Sequence, residues 1–220
     1  MFILPRHFPI LDDAHHHKVM AFYQRFVIDY QAHYGFGHFV LAAYSAIPNA
    51  QTPDMLYKIW VNFPYYKWGE EQPRISRIAV ADVLLSPLFR EIGFELYEMY
   101  PPLRFAFLEW LNKETQGNNY FQLFSPDKIA RFVYHYINQP NPGALQWGQG
   151  FTDVQEWNAL SYFDLNAATE KLADLVRDSA SSNTKLRYLD AVVKLGKRVN
   201  ILFENGEKKN ELKNVNQFAI

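Results

Sequence analysis

The sequence contains no cysteine, which excludes disulfides, thiol nucleophiles and thiolate metal sites. It also lacks an excess of either charge: 22 Lys+Arg against 23 Asp+Glu gives a formal net charge of -1, which argues against a dedicated nucleic-acid binder. A charge or a proline interrupts every apolar run before it could span a membrane. Residues 1–6 lack the basic start and apolar stretch of a signal peptide. We therefore expect a cytoplasmic protein with no membrane partner.

Aromatic residues are abundant instead. They make up 17% of the 220 residues, with 18 Phe, 14 Tyr and 5 Trp, and apolar residues make up 49%. This composition supplies ample material for a core and is incompatible with global disorder. Rings in such numbers either fill the core or are displayed to a partner.

Helical patterns dominate the chain. Apolar residues recur at three- and four-residue spacing over 15–33, and the nearly all-apolar stretch 39–47 predicts a second, short helix. Thr52-Pro53-Asp54 and Ser125-Pro126-Asp127 each place an N-cap, a proline and an acid in the order that starts a helix. Thr152 and Gln155 have capping-box spacing, so we predict a third helix start there.

A small β element interrupts the helices. Residues 75–85 are apolar on more than one side, which predicts a helix buried within the fold. In residues 90–99, apolar and polar side chains alternate around Gly93, which predicts a short β hairpin. Pro101-Pro102 then opens another helix. We therefore predict a mainly α protein, a helical bundle containing a winged-helix-like core with one short β hairpin.

Composition also suggests where the chain divides. We predict a helical lobe over 1–138, with the winged-helix-like core at about 39–114. A Pro-, Gly-, Gln- and Asn-rich linker loop follows at 139–152. The remainder is predicted as C-terminal helices over 153–206 and a mobile tail over 207–220.

The most conspicuous polar cluster is His15-His16-His17, which follows Asp12-Asp13. Adjacent helical residues point about 100° apart, so the three histidines cannot converge on one ion. Asp12 with His16, or Asp13 with His17, supplies only two ligands, whereas a metal site needs three or four. We interpret the cluster as surface and expect no metal or cofactor; a metal-dependent enzyme using this region is kept as an alternative.

No other pattern assembles a catalytic set. His33, His38 and His135 are not paired in sequence with a nucleophile, and no serine lies in a hydrolase elbow. We expect the hairpin glutamates to form structural ion pairs with Arg90 or Arg104. The sequence therefore predicts a protein that is not an enzyme.

Aromatic residues in loops are the strongest indication of binding. We predict a protein-binding role, through anchoring rings, for Tyr65, Tyr66, Trp68, Trp147, Phe151 and Phe218. The alternative is a nucleic-acid-binding winged helix that would use Arg74, Arg77, Lys208, Lys209 and Lys213. Asp82 and the hairpin glutamates weaken that alternative, because they would face the phosphates.

Several strings carry a family resemblance: LAAYSAIP at 41–48, LYKIWVNF at 56–63, IAVADVLLSPL at 78–88, REIGFELYEM at 90–99 and WNALSY at 157–162. They resemble a helical, winged-helix-like module of multidomain cyanobacterial and Bacteroidetes proteins. In those proteins the module accompanies caspase-like, formylglycine-generating-enzyme-like, TIR or NTPase-related domains, in conflict and signalling systems. The resemblance implies a non-enzymatic adaptor or regulatory subunit, whose partner would be an effector encoded on a separate chain.

Overall fold

Eight α helices and one β hairpin form the part of the chain that is described by a computed structural model, namely residues 13–117, 125–139 and 149–178. The helices are α1 (Asp13–Tyr34), α2 (Phe36–Ser45), α3 (Pro53–Asn62), α4 (Ala79–Leu84), α5 (Pro101–Gly117), α6 (Pro126–Asn138), α7 (Gln149–Leu160) and α8 (Leu165–Asp178). Strands β1 (Phe89–Gly93) and β2 (Leu96–Met99) form the hairpin. The prediction of a mainly helical protein with one short hairpin is confirmed.

Helix α3 begins as its sequence predicts. The side chain of Thr52 accepts a hydrogen bond from the Met55 backbone N–H at 3.2 Å, and Pro53 occupies the first helical position. Asp54 places a negative charge in the first turn, where the helix dipole favours it. The buried residues of α3 are apolar, namely Met55, Leu56, Ile59 and Trp60, and Phe63 at its C-cap is buried as well.

Helix α2 is buried along most of its length and contacts α1, α3, α4 and α5. The ring of Phe39 lies 5.4 Å from that of Phe107 and 4.6 Å from that of Trp110, both on α5. Tyr30 of α1 meets Phe107 edge-on at 6.4 Å. Aromatic packing therefore joins α1, α2 and α5 into one core.

The C-terminal end of α2 is held by a charged side chain. Arg104 on α5 donates from Nε to the Ala46 carbonyl at 2.8 Å and from Nη2 to the Ile47 carbonyl at 3.0 Å. Ala46 is the C-cap of α2 and Ile47 follows it, so the guanidinium supplies donors to carbonyls that lie just beyond the helix. Arg104 thus joins the end of α2 to α5.

The predicted hairpin is present as an antiparallel pair in which Phe89 lies opposite Met99, and both side chains are buried. The expected ion pair also forms, with 2.7 Å between Arg90 Nη2 and Glu98 Oε2. On the other edge of β2, Gln51 and Tyr97 exchange two backbone hydrogen bonds of 2.8 and 2.9 Å. A third extended segment, between α2 and α3, therefore lies beside the hairpin.

Two predicted helices have different bounds. Helix α4 covers only Ala79–Leu84 because Ile75 is held in an extended segment: its N–H donates to the Pro64 carbonyl at 2.7 Å and its carbonyl accepts from Trp60 Nε1 at 3.0 Å. The expectation of burial on more than one side is wrong, since Ile78 is 59% and Leu85 77% exposed. The capping box is also wrong, because α7 begins at Gln149 and both Thr152 and Gln155 lie inside it.

The chain divides into two compact units, residues 1–136 and 137–220. In the second unit, the ammonium of Lys171 on α8 lies 2.8 Å from Glu156 and 3.2 Å from Asp153 on α7. The hydrogen bond to Glu156 is the main reason why the pKa of Lys171 is raised. Helix α7 occupies the last residues of the predicted 139–152 linker, and everything predicted beyond residue 178 lies outside the described residues.

Candidate functional site

The loop between α3 and α4, here called the aromatic loop (residues 64–75), has a regular backbone. Its two sides are joined by the hydrogen bond from the Tyr66 N–H to the Pro73 carbonyl at 3.1 Å. At the tip, Trp68 and Glu71 exchange backbone hydrogen bonds of 3.0 and 3.1 Å. Gly69, at the turn, has a φ of 64°, a conformation that glycine adopts without strain. The loop is therefore held as a small hairpin with fixed ring positions.

Phe36, at the start of α2, organises the rings around this loop. Its centroid lies 5.2 Å from the ring of Tyr66, 5.0 Å from that of Trp68 and 6.1 Å from that of Trp110. We call these four side chains the aromatic patch. The three contacts that Phe36 makes within the patch are edge-to-face, a geometry that aromatic quadrupoles favour. The patch is thus one packed cluster that begins at the core and ends at the surface.

Exposure increases from the base of the aromatic patch to its tip. Phe36, Tyr66 and Trp110 are half-buried, whereas Trp68 is 56% exposed. Tyr66 Cε1 lies 3.4 Å from the position that a Cβ would take at residue 37, so glycine there leaves room for the Tyr66 ring. Tyr65, the neighbouring ring, is also exposed. The patch therefore presents a supported tryptophan to solvent.

The six predicted anchoring residues have different outcomes. The structure brings Tyr66 and Trp68 together through Phe36 and leaves Tyr65 exposed beside them. Phe151 lies on α7, although its side chain is outside the described part, and Trp147 and Phe218 lie entirely outside the described residues. Sequence reasoning missed Phe36 and Trp110 as supports. The flanking glycines of Gly35-Phe36-Gly37 are the only local indication that this ring has unusual neighbours.

The basic residues of the nucleic-acid alternative are only partly described. Arg74 is exposed, and its guanidinium carbon lies 5.4 Å from the centroid of the Trp60 ring, a cation–π arrangement. Arg77 is exposed just before α4. Lys208, Lys209 and Lys213 lie outside the described residues. The structure therefore describes two surface arginines and gives one of them a ring to stack on.

A histidine–carboxylate pair that the sequence did not reveal joins α2 to α4. His38 Nε2 lies 2.9 Å from Asp82 Oδ2, although 44 positions separate the residues. Burial raises the pKa of nearby Tyr30, and the negative charge of Asp82 adds to that effect, so this phenol stays protonated. The hydroxyl of Ser86, a residue near the end of α4, donates to the Val83 carbonyl at 2.7 Å and not to the His38–Asp82 pair. The His38–Asp82 pair therefore joins two helices, and no hydroxyl nucleophile among the described residues is hydrogen-bonded to it.

The two other histidines whose side chains are described, His33 and His135, do not form a site with each other. His33 is exposed and meets the Tyr34 ring edge-on, and His135 is exposed beside Tyr134. The backbone of His15-His16-His17 lies in α1, but their side chains are outside the described part. Within the described residues there is no group of three or more side chains that could hold a metal ion.

None of the helices in the described ranges combines the length and the apolar character needed to cross a bilayer. Comparison of the chain with protein families, curated proteins and solved structures finds no match.

Proposed function

We propose that this chain is a non-enzymatic adaptor or regulatory subunit that binds another protein through the aromatic patch and Tyr65. The observation that carries the proposal is Trp68, a large ring more than half exposed and held by Phe36 and by the backbone of its loop. The few residues that contribute most of the binding energy of a protein interface are enriched in tryptophan and tyrosine. The family resemblance favours a bacterial defence or signalling assembly as the setting, with an effector on a separate chain.

Preorganisation supports this proposal. A ring that is free to move loses rotamer entropy on binding, whereas Trp68 is already fixed against Phe36 and by two backbone hydrogen bonds to Glu71. Its displayed face can therefore enter a partner's pocket with little reordering. Glu70 and Glu71 are exposed within three residues of Trp68 along the loop and favour a partner with basic residues around that pocket.

The test is a paired purification from the cells of origin. Trp68→Ala and Ile28→Ala each remove an apolar side chain of similar exposure, 56% and 60%, from different elements. We expect a stoichiometric protein partner to co-purify with the parent chain and with Ile28→Ala, and its yield to fall about tenfold or more with Trp68→Ala. Equal recovery with both variants contradicts the proposal.

A second candidate, nucleic-acid binding, is favoured by the order of the elements. Helix α2, the extended segment at Gln51, helices α3 and α4, and the hairpin follow one another as in a winged-helix module, with Gln51 beside β2. In that arrangement α4 would occupy the position that reads DNA, and Arg77 precedes it. The exposed Ile78 and Leu85 argue for a protein partner instead, since phosphates attract cations.

Titration of a mixed-sequence duplex at several salt concentrations tests the second candidate. If the chain binds DNA through these arginines, Arg74→Gln and Arg77→Gln each reduce the slope of log affinity against log salt by about 0.9. Absence of binding at low salt eliminates the candidate and leaves the adaptor proposal unaffected.

A further inference from the structure

The tip of the β hairpin displays more apolar surface than a turn requires. Phe94 is 78% exposed, the highest value for any large apolar side chain within the described ranges. Ile92, two residues earlier, is also exposed. Single exposed apolar side chains are ordinary on protein surfaces, whereas neighbouring ones that form a patch mark interaction sites.

The turn residues are not those that stabilise a hairpin. Gly93 pairs with Leu96, so Phe94 and Glu95 form a two-residue loop. Such loops favour asparagine and glycine because their backbone needs positive φ. Glu95 instead adopts a φ of 50°, the one positive value among non-glycine residues of the described ranges. The chain therefore keeps a phenylalanine and a strained glutamate where a smaller pair would fold more easily.

The base of the hairpin is anchored while its tip projects. Phe89 and Met99 are buried at the base, and Arg90 is paired with Glu98 across the strands. Between Glu91 and Gly93 the register shifts by one residue, a β-bulge at Ile92. A bulge re-aims the side chain of the extra residue and prevents a flat edge from pairing with another strand. The hairpin is thus built to present side chains rather than backbone.

Charge indicates what the tip fits. Glu91 and Glu95 flank Ile92 and Phe94, both carboxylates are exposed, and neither forms an ion pair with any described residue. We propose that the hairpin tip, Glu91–Glu95, is a second docking element that inserts Phe94 into an apolar pocket of a partner protein bordered by lysine or arginine. A bilayer surface is the less suitable occupant, because anionic headgroups repel the two carboxylates.

Site-specific photocrosslinking tests this proposal. The photoreactive residue p-benzoylphenylalanine is incorporated in place of Phe94, and in place of Ile28 as a control on α1, and the full chain is irradiated in its cells of origin. We expect one discrete protein adduct from position 94 and none of that mass from position 28. The crosslinked peptide of the partner should contain apolar residues with neighbouring lysine or arginine.

Charge reversal then tests the basic border. In the position-94 chain, Glu91→Lys and Glu95→Lys should each lower the adduct yield about tenfold, whereas Glu170→Lys, an exposed reversal on α8, should leave it unchanged. Any of four results overturns the proposal: adducts to lipid, the same adduct from position 28, no adduct at all, or an adduct yield that Glu91→Lys and Glu95→Lys leave unchanged. Because Trp68 is intact in these variants, failure here is separate from failure of the aromatic-patch proposal.

Discussion

Phenylalanine and tryptophan occur in two contrasting settings around α2. Phe39 and Phe107 are essentially inaccessible to solvent and join α2 to α5, whereas Trp68 is more than half exposed. Phe36 and Trp110 connect the two settings, because Phe36 contacts Phe39 on one side and Trp68 on the other. Aromatic side chains therefore have two roles that differ in exposure, and substitution should reveal them as a loss of stability or a loss of binding.

Phe39→Ala should have the largest effect on stability. Its ring contacts Phe107 and Trp110, so truncation leaves a cavity in the middle of the core. We expect the free energy of unfolding to fall by about 3–5 kcal/mol, measured by urea denaturation. A loss below about 1 kcal/mol would mean that the ring is not part of the core that the structure shows.

Buried phenols should make the core sensitive to alkali. Burial raises the pKa of Tyr44 above its ordinary value of 10.0, so the folded state favours the neutral ring. Its contribution to stability is complete below pH 10 and is lost as pH rises further, at about 1.4 kcal/mol per pH unit. The free energy of unfolding, measured by urea denaturation at each pH from 8 upward, should fall less steeply with pH in Tyr44→Phe than in the parent chain, by that amount per pH unit above pH 10. An equal fall in both proteins would contradict the burial of the phenol.

Tyr66→Ala and Trp68→Ala should separate the base of the aromatic patch from its tip. Tyr66 is half-buried against Phe36 and the glycine at residue 37, so its truncation should lower the free energy of unfolding by about 1–2 kcal/mol. Trp68→Ala should cost less than about 1 kcal/mol, because much of the ring is already in water. Thermal melts of both variants check the order, and the reverse order would make Trp68 the structural residue.

A gain in stability, rather than a loss, is expected at the hairpin turn. Glu95→Gly removes the side chain from a position with a φ of 50°, which should raise the free energy of unfolding by about 1 kcal/mol. Glu95→Ala is the matched control: it removes the same carboxylate, retains the strain and should give no gain. If both variants stabilise equally, charge rather than backbone conformation is responsible.

Features written in local sequence could be predicted. Thr52-Pro53-Asp54 specifies a helix start within three residues, and the alternation around Gly93 specifies a hairpin, so both predictions are confirmed. The short α4 could not be predicted, because it depends on Ile75 donating a hydrogen bond to the Pro64 carbonyl and accepting one from Trp60 Nε1, residues that lie earlier in the chain. Tertiary contacts of this kind override periodicity.

The candidate site divides in the same way. Trp68 stood out as a tryptophan beside a glycine in a loop, which is a local signal. Phe36 did not, because its importance comes from packing against a loop about thirty residues later and against α5. The His38–Asp82 pair is likewise formed only when α2 and α4 come together. Sequence reasoning therefore found the displayed ring and missed what holds it.

The central claim, that this chain binds another protein, is tested most directly by purifying the chain at native salt. Co-purifying protein is identified by mass spectrometry, and nucleic acid is quantified by absorbance. The account predicts a stoichiometric protein partner and no nucleic acid, because the best-supported surfaces are aromatic and acid-bordered. Nucleic acid that survives moderate salt, without a protein partner, would contradict it and favour the winged-helix alternative with Arg74 and Arg77.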